Sequence, residues 1–406
     1  MSSFSAFKLN CTPIQYAQGG GVIPLAGYLG CLRFMRDVLY VDTNYACQDY
    51  RNNGIQIKKE DDLEWYADMV FQPPQDRPVT ILAECGIGDL ISATQALSKL
   101  QIENIYCRLD RGAILPKQWN VRMLPARLAD LQGKTIYHFL GIPFSNPSHS
   151  ICMNQIFADI MGISGPFGPP LIDIPVNAQL RWQKSLQNLK RPLIGLQLMA
   201  AVGKRTPPAS LLLDAALEII GATGGTVILL GDILQFNHIK REFINPKYQC
   251  GGIISAMGIT AGVEDYAAVI AQCDIIITPD TASLHIGGAL GKPTIGVTAV
   301  YPPAYAGGGY PSYISVEASS PCSPCCQHAN GDCTIHVDQY QNPICWATIK
   351  PGQISTAAIA ALKELGYGNQ KESKEARSKT STKASSGRGR SPHHSRVPGS
   401  TKGRNS

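Results

Sequence analysis

From Pro192 onward the chain keeps one rhythm: a short apolar, β-branched run, a breaker, an amphipathic stretch, then another apolar run. Residues 192–197 read as a strand. Residues 211–220 read as a helix leading to a strand at 226–230, 263–272 as a helix leading to 275–278, and 283–290 as a helix leading to 294–297. Strands separated by helices of this length need crossover connections, so they must lie parallel, with both faces of the sheet covered. The rhythm begins earlier, at Val79-Thr-Ile-Leu-Ala83, and passes through Gly86-Ile-Gly-Asp89 into a helical stretch with apolar residues at Leu90, Ala93, Ala96, Leu97 and Leu100. Strand, glycine turn and helix open a βαβ unit. Residues 105–109 and 135–140 extend that sheet, and 150–161 add a helix ended by Gly162. Gly165-Pro-Phe-Gly-Pro-Pro170 is the expected hinge.

The expected architecture is therefore α/β, with two Rossmann-like parallel-sheet halves at 76–170 and 171–350. A leader, 1–75, is expected to be β-rich or extended and is joined through the Pro-rich stretch 72–78. A closing helix spans 351–370 and a basic tail 371–406. The tail holds ten Lys or Arg against Glu372 and Glu375, a balance of +8, so the other residues carry 6 − 8 = −2. The basic character belongs to the tail, which has too little apolar surface to order itself. A specific nucleic-acid interface on the folded part is not expected; sequence-blind contact of the tail with an anionic surface is. No apolar run is long enough for a membrane helix, and the start lacks a basic region followed by an apolar one. With thirteen cysteines and no such signal, reduced thiols and a cytoplasmic location are expected, peripheral to the inner face of the membrane at most.

Three segments carry candidate chemistry. Gly86 and Gly88 lie between a strand and a helix, where a ligand or phosphate can approach the backbone; the alternative is a tight turn with Asp89 capping the helix. The segment lacks the third glycine of a dinucleotide fingerprint, since Ile91 stands there. Lys204 and Arg205, ahead of Pro207-Pro208, place cations near a strand's carboxyl end, where they suit phosphate or form a solvated turn. At Asp280-Thr-Ala-Ser-Leu-His285 a helix begins whose N–H groups at Thr281, Ala282 and Ser283 can meet an anion. Asp280 either binds sugar hydroxyls or caps that helix; His285 either reaches the ligand or packs in the core. A fourth group, Cys322, Cys325, Cys333 and Cys345, fits four thiolates around a structural zinc, with reduced buried thiols or redox pairing as the alternative.

In order and spacing, these segments resemble glycosyltransferase family 9, the heptosyltransferase-like enzymes of surface-polysaccharide and lipopolysaccharide synthesis. Gly86–Asp89 with Thr94-Gln-Ala-Leu97, Lys204-Arg-Thr-Pro-Pro208, and Asp280–His285 with 291–297 match the family's motifs. The resemblance implies a GT-B fold, with a nucleotide-sugar donor on the C-terminal half and a glycan or lipid-linked acceptor on the N-terminal half. It implies inverting transfer of a sugar such as heptose with no cofactor required for catalysis. Asp89 would be the base, and Lys204, Arg205, Asp280, Thr281, Ala282, Ser283 and His285 would hold the donor. Two departures stand out: Gly287-Gly288 inside the last helix, each weakening it by about 1 kcal/mol, and a first half short for an acceptor domain. They leave a second reading, a catalytically degenerate accessory protein that binds a glycan or nucleotide.

Overall fold

In the computed structural model the described residues are 78–83, 85–107, 111–123, 136–139, 152–160, 163, 165, 167–201, 203–237, 245–249, 251–325, 333 and 343–367, preceded by the backbone of five strands. Those strands are β1 (Phe4–Leu9), β2 (Ile23–Pro24), β3 (Cys31–Leu32), β4 (Leu39–Thr43) and β5 (Leu63–Tyr66). β1 pairs antiparallel with β4 and β5, and β2 with β3. Met1–Tyr367 form one unit. The linker at 72–78 (except Pro78) and the tail at 371–406 lie outside the described residues.

The first parallel sheet holds β6 (Val79–Ala83), β7 (Ile102–Cys107), β8 (Val121–Met123) and β9 (Ile136–Phe139), in the order β8-β7-β6-β9. Helices α1 (Ile87–Leu97) and α2 (Met153–Ile160) belong to this half. The three-residue β8 gave no periodicity to read in the sequence.

The second half begins with helix α3 (Val176–Leu186) and strand β10 (Leu193–Gln197). Helix α4 (Ala209–Thr223) leads to β11 (Thr226–Leu230), and β12 (Ile253–Ser255) is followed by α5 (Val263–Gln272). Then come β13 (Ile275–Thr278), α6 (Ala282–Ala289), β14 (Thr294–Thr298), α7 (Pro303–Gly307), β15 (Tyr313–Glu317) and the closing helix α8 (Pro351–Glu364). All six strands are parallel, in the order β12-β11-β10-β13-β14-β15. The expected alternation lacked β12 and β15, the two edge strands. Every residue of β10, β11, β13 and β14 is buried, which is why these strands read as mainly apolar runs without a charge. α4 and α8 cover one face through Leu212, Ile219, Ile354 and Ala358. α3 and α5 cover the other through Ala178, Trp182, Ala268 and Ile270.

In both sheets the chain starts in the middle, works outward to one side, and returns to build the other. The order reverses between β6 and β9 in the first sheet and between β10 and β13 in the second. At such switch points the connections leave in opposite directions and open a crevice beyond the strands' carboxyl ends. Gly86–Asp89 follows β6, Lys204–Arg205 follows β10 and Asp280 follows β13, so all three candidate segments sit at switch points.

Apolar packing runs across the halves. Ile91 of α1 and Ile114 belong to one cluster with Ile174, Ala267 and Ile286, while Val300, Tyr301 and Tyr305 pack with Leu90 and Phe157. The Gly/Pro-rich joint is tied to α1: the Gln95 side chain donates to the Pro169 carbonyl, and the Leu171 N–H donates to Thr94 Oγ1 at 2.7 Å.

The glycine pair in α6 has a packing reason. A Cβ at Gly287 would lie 2.6 Å from Thr294 Oγ1, and one at Gly288 would lie 2.4 Å from Tyr310 Cγ. Their absence admits β14 and the Tyr310 ring against the helix. Gly288→Ala gains about 1 kcal/mol of helix propensity but overpacks a buried aromatic contact, which costs roughly 1–3 kcal/mol. The expected net effect is a lower urea midpoint; a midpoint at or above that of the wild type would contradict this account.

Candidate active site

The turn after β6 is capped by its own acid. Gly86 is the N-cap of α1, and its N–H donates to Asp89 Oδ2 at 2.9 Å. Asp89 is thus a cap, as one sequence reading held, and it also stands half-buried at the mouth of the switch point. Gly86 is exposed, whereas Gly88 is not an opening for a ligand. A Cβ on Gly88 would lie 2.5 Å from His285 Cδ2 and 3.0 Å from Nε2, so the imidazole takes up the space beside it. The glycine admits a side chain from the other half, a reason invisible in the local sequence.

Across the crevice, β13 ends at Thr278 and α6 begins after the cap residue Thr281. Thr281 Oγ1 lies 2.9 Å from Thr278 Oγ1 and accepts the Ser283 N–H at 3.2 Å. That bond removes Ser283 from the predicted set of outward-facing donors and leaves Thr281 and Ala282 at the helix start. The Ser283 hydroxyl is fully buried on Tyr266, whose phenol donates to Gln197 Oε1 at 2.6 Å. Gln197 Nε2 donates in turn to Met199 O and to Gln235 Oε1. This side-chain chain ties the ends of β10 and β13 to the turn after β11. Gln197, Tyr266 and Gln235 were not found from sequence because they belong to three separate elements.

Lys204 and Arg205 lie in a single helical turn, Gly203–Arg205, after β10. Arg205 Nη1 donates to Asp280 Oδ2 at 3.1 Å and to the Asp280 carbonyl at 3.3 Å, joining the second and third candidate segments. Burial is the largest effect and opposes the guanidinium's charge, but the charge and hydrogen bond of Asp280 together with Tyr301 and Asp89 exceed it, so Arg205 is held above its usual range. Arg205 Nε is buried without a hydrogen-bond partner among the described residues. Lys204 is 8% exposed beside it. Two cations in a half-dry crevice at a helix start suit an anion. Beyond β11 and β12, Ile233, Leu234 and Ile259 are exposed, and Gly258, at φ +73°, brings the two turns into contact at Ile233.

His285 is 2% exposed and joins the halves. Its Nδ1 lies 2.6 Å from the Tyr310 hydroxyl and 3.1 Å from Ser92 Oγ of α1, and these two oxygens are 3.2 Å apart. Its Nε2 lies 3.9 Å from Asp280 Oδ1. Burial pushes the imidazole down to about 4; Asp280 opposes that shift and Arg205 adds to it. His285 is therefore neutral at physiological pH and is a packed residue that also borders the site. Sequence reasoning missed Ser92 and Tyr310, which meet it from remote positions.

The four candidate metal cysteines are half-buried. Burial raises the Cys345 thiol to about 11, and Cys322, Cys325 and Cys333 add smaller effects in the same direction. Among the described residues, no three such side chains already converge as a metal set. No helix among them is long and apolar enough to cross a membrane.

The fold, two parallel α/β sheets with a crevice at their switch points, resembles the GT-B heptosyltransferases. Residues 176–333 match the model of glycosyltransferase family 9 (heptosyltransferase), and this segment is a domain of that family of enzymes. Among solved structures, E. coli ADP-heptose lps heptosyltransferase II is 12% identical, with 71% of this chain and 100% of that one covered at a TM-score of 0.53. A family 9 glycosyl transferase from Veillonella parvula is 16% identical, with 73% and 99% covered at 0.54. The iron-containing dodecameric glycosyltransferase TibC from enterotoxigenic E. coli is 13% identical, with 74% and 82% covered at 0.53. No curated protein matches the sequence.

The neutral imidazole makes stability depend on pH. Because the folded-state value is depressed, the contribution is fully present above about 6.5 and is lost as pH falls through about 4. That difference is worth roughly 3 kcal/mol. The wild type is expected to lose more melting temperature than His285→Gln between neutral pH and pH of about 5; equal losses would refute the buried neutral state.

Proposed function

We propose that the chain is an inverting glycosyltransferase that draws on a nucleoside-diphosphate sugar, with heptose as the first candidate. The observation that carries this reading is the approach of Asp89 to Arg205 and Asp280: its turn packs through Gly88 on His285, whose Nε2 lies 3.9 Å from Asp280, and its charge acts on Arg205. The carboxylate of Asp89 accepts the proton of an acceptor hydroxyl while that oxygen forms its bond to the anomeric carbon. The bond from that carbon to the diphosphate breaks on the opposite side, which inverts the centre. The departing charge is met by Arg205, Lys204 and the N–H groups of Thr281 and Ala282. Asp280, oriented by Arg205, takes sugar hydroxyls, and the exposed Ile233, Leu234 and Ile259 offer the donor's base an apolar surface.

The choice of heptose rests on the relatives: one is an ADP-heptose heptosyltransferase, and TibC has been seen in complex with ADP-D-beta-D-heptose. The acceptor is a glycan or lipid-linked hydroxyl. Cys322, Cys325, Cys333 and Cys345 would hold a structural metal, zinc or, as in iron-containing TibC, iron. When bound, it would cross-link the segment after β15 to the helical turn that precedes α8.

A screen against nucleotide sugars should show an ADP-sugar raising the melting temperature, as any ligand selective for the folded state must. Asp89→Asn should then cut transfer by at least about a hundredfold while donor affinity stays within a few-fold. Unchanged turnover would remove Asp89 as base, and donor binding without any wild-type transfer would favour the accessory-protein reading. Elemental analysis should find about one zinc or iron per chain, lost in Cys345→Ser; a metal-free wild type would leave the cysteines as plain thiols.

A further inference from the structure

Three polar side chains from three distant parts of the chain meet in the apolar seam between the halves. Ser92 belongs to α1, one helical turn past Asp89. His285 belongs to α6, and Tyr310 follows α7. Each pair is within hydrogen-bond distance, and both the imidazole and the phenol are almost wholly buried. Polar groups are placed in such a seam at a cost unless they satisfy one another.

Their protons can be assigned. Burial pushes the Tyr310 phenol up, so it keeps its proton. The imidazole is neutral, so only one of its nitrogens carries a proton. If that were Nδ1, the lone pair of Nε2 would face the Asp280 carboxylate, two acceptors towards each other. If it is Nε2, the N–H dipole points towards Asp280 Oδ1, and Nδ1 accepts from the Tyr310 hydroxyl, which accepts from Ser92. The second arrangement satisfies Ser92, Tyr310 and Nδ1 and aims the Nε2–H dipole at the Asp280 carboxylate from 3.9 Å. The same ring edge, Cδ2 and Nε2, is what Gly88 packs against, one residue from Asp89.

We infer that Ser92 and Tyr310 are positioning residues, which lock His285 as its Nε2–H tautomer so that the ring seats the Asp89 turn against the Asp280–Arg205 pair. The inference rests on the transferase reading for its catalytic consequence, but the lock itself is a property of the free protein. The ring acts as a peg: held from behind at Nδ1, it presents one edge to the turn carrying the base and to the carboxylate of the donor half. Misplacing a catalytic group by an ångström lowers rates by about a hundredfold. Loosening the peg should therefore act on turnover more than on donor affinity.

The experiment uses Tyr310→Phe and Ser92→Ala in the full chain, with imidazole nitrogen NMR and steady-state kinetics below the melting temperature of each variant. In the wild type, the His285 resonances should report a single Nε2–H tautomer at neutral pH. In Tyr310→Phe, Nδ1 loses its nearer donor and keeps only the longer contact with Ser92, and the pattern should shift towards mixed tautomers. The kcat should fall about tenfold or more while the donor Kd stays within about twofold, with Ser92→Ala intermediate. A purely structural role would lower the melting temperature and leave kcat and tautomer unchanged in the folded fraction, which would overturn the inference. An Nδ1–H wild-type spectrum would overturn it as well. Absence of wild-type transfer would sink the transferase reading and the catalytic consequence with it, whereas a retained tautomer in Tyr310→Phe would sink the lock alone.

Discussion

The site depends on one contact, the edge of the His285 imidazole against the backbone of Gly88. Each parallel sheet builds its own crevice at its own switch point, and neither crevice alone brings Asp89 near Arg205. The first supplies Asp89 on a capped turn, and the second supplies Arg205 locked on Asp280. What brings them together is close approach of α1 and α6, and a side chain at residue 88 would forbid it. The small residues in this region serve that approach. Gly88 admits His285, and Gly288 admits Tyr310, which holds His285 from the other side.

The α/β alternation was legible because the fully buried parallel strands carry no charged residue and are dominated by Ile, Leu and Val, with polar residues mostly at their ends. β10, β11, β13 and β14 are buried at every position and stood out, whereas the partly exposed edge strands β12 and β15 did not. The hinge and the closing helix were marked by proline and glycine. The candidate acids and cations were legible for a different reason: each lies just past a strand, within a segment short enough to read as a unit. Pairing was not legible. Nothing in residues 203–208 says that Arg205 reaches Asp280, and nothing near Gly88 says that an imidazole needs its space. The glycine pair of α6 shows the limit most plainly. Read alone it weakens a helix; beside Thr294 and Tyr310 it lets the helix pack.

The network behind Ser283 extends the same logic into the donor half. Tyr266 joins Ser283 to Gln197, and Gln197 reaches Gln235, so side chains link the segments that follow β10, β11 and β13. Burial raises the Tyr266 phenol well above its ordinary value, so this link stays protonated over the physiological range. Such cross-strand bracing fixes where a helix start points, and an anion site built from N–H groups is only as well defined as the helix start itself.

Charge explains why the peg between the halves should be a neutral histidine. A cation at that place would stand beside Asp89 and Asp280 together. It would stabilise the carboxylate of Asp89 and make it a poorer base towards an alcohol, and it would compete with Arg205 for Asp280. An apolar side chain would fill the space but leave Ser92 and Tyr310 buried with one partner fewer, and it would offer Asp280 nothing. A neutral imidazole avoids both faults. It accepts on one nitrogen, presents a weak N–H dipole on the other, and carries no net charge into a crevice where Arg205 and Lys204 already supply the positive field. The depressed value of His285 is thus the electrostatic counterpart of its packing: burial, with a smaller push from Arg205, keeps the ring neutral, and neutrality lets one ring border a base and an ion pair without disturbing either.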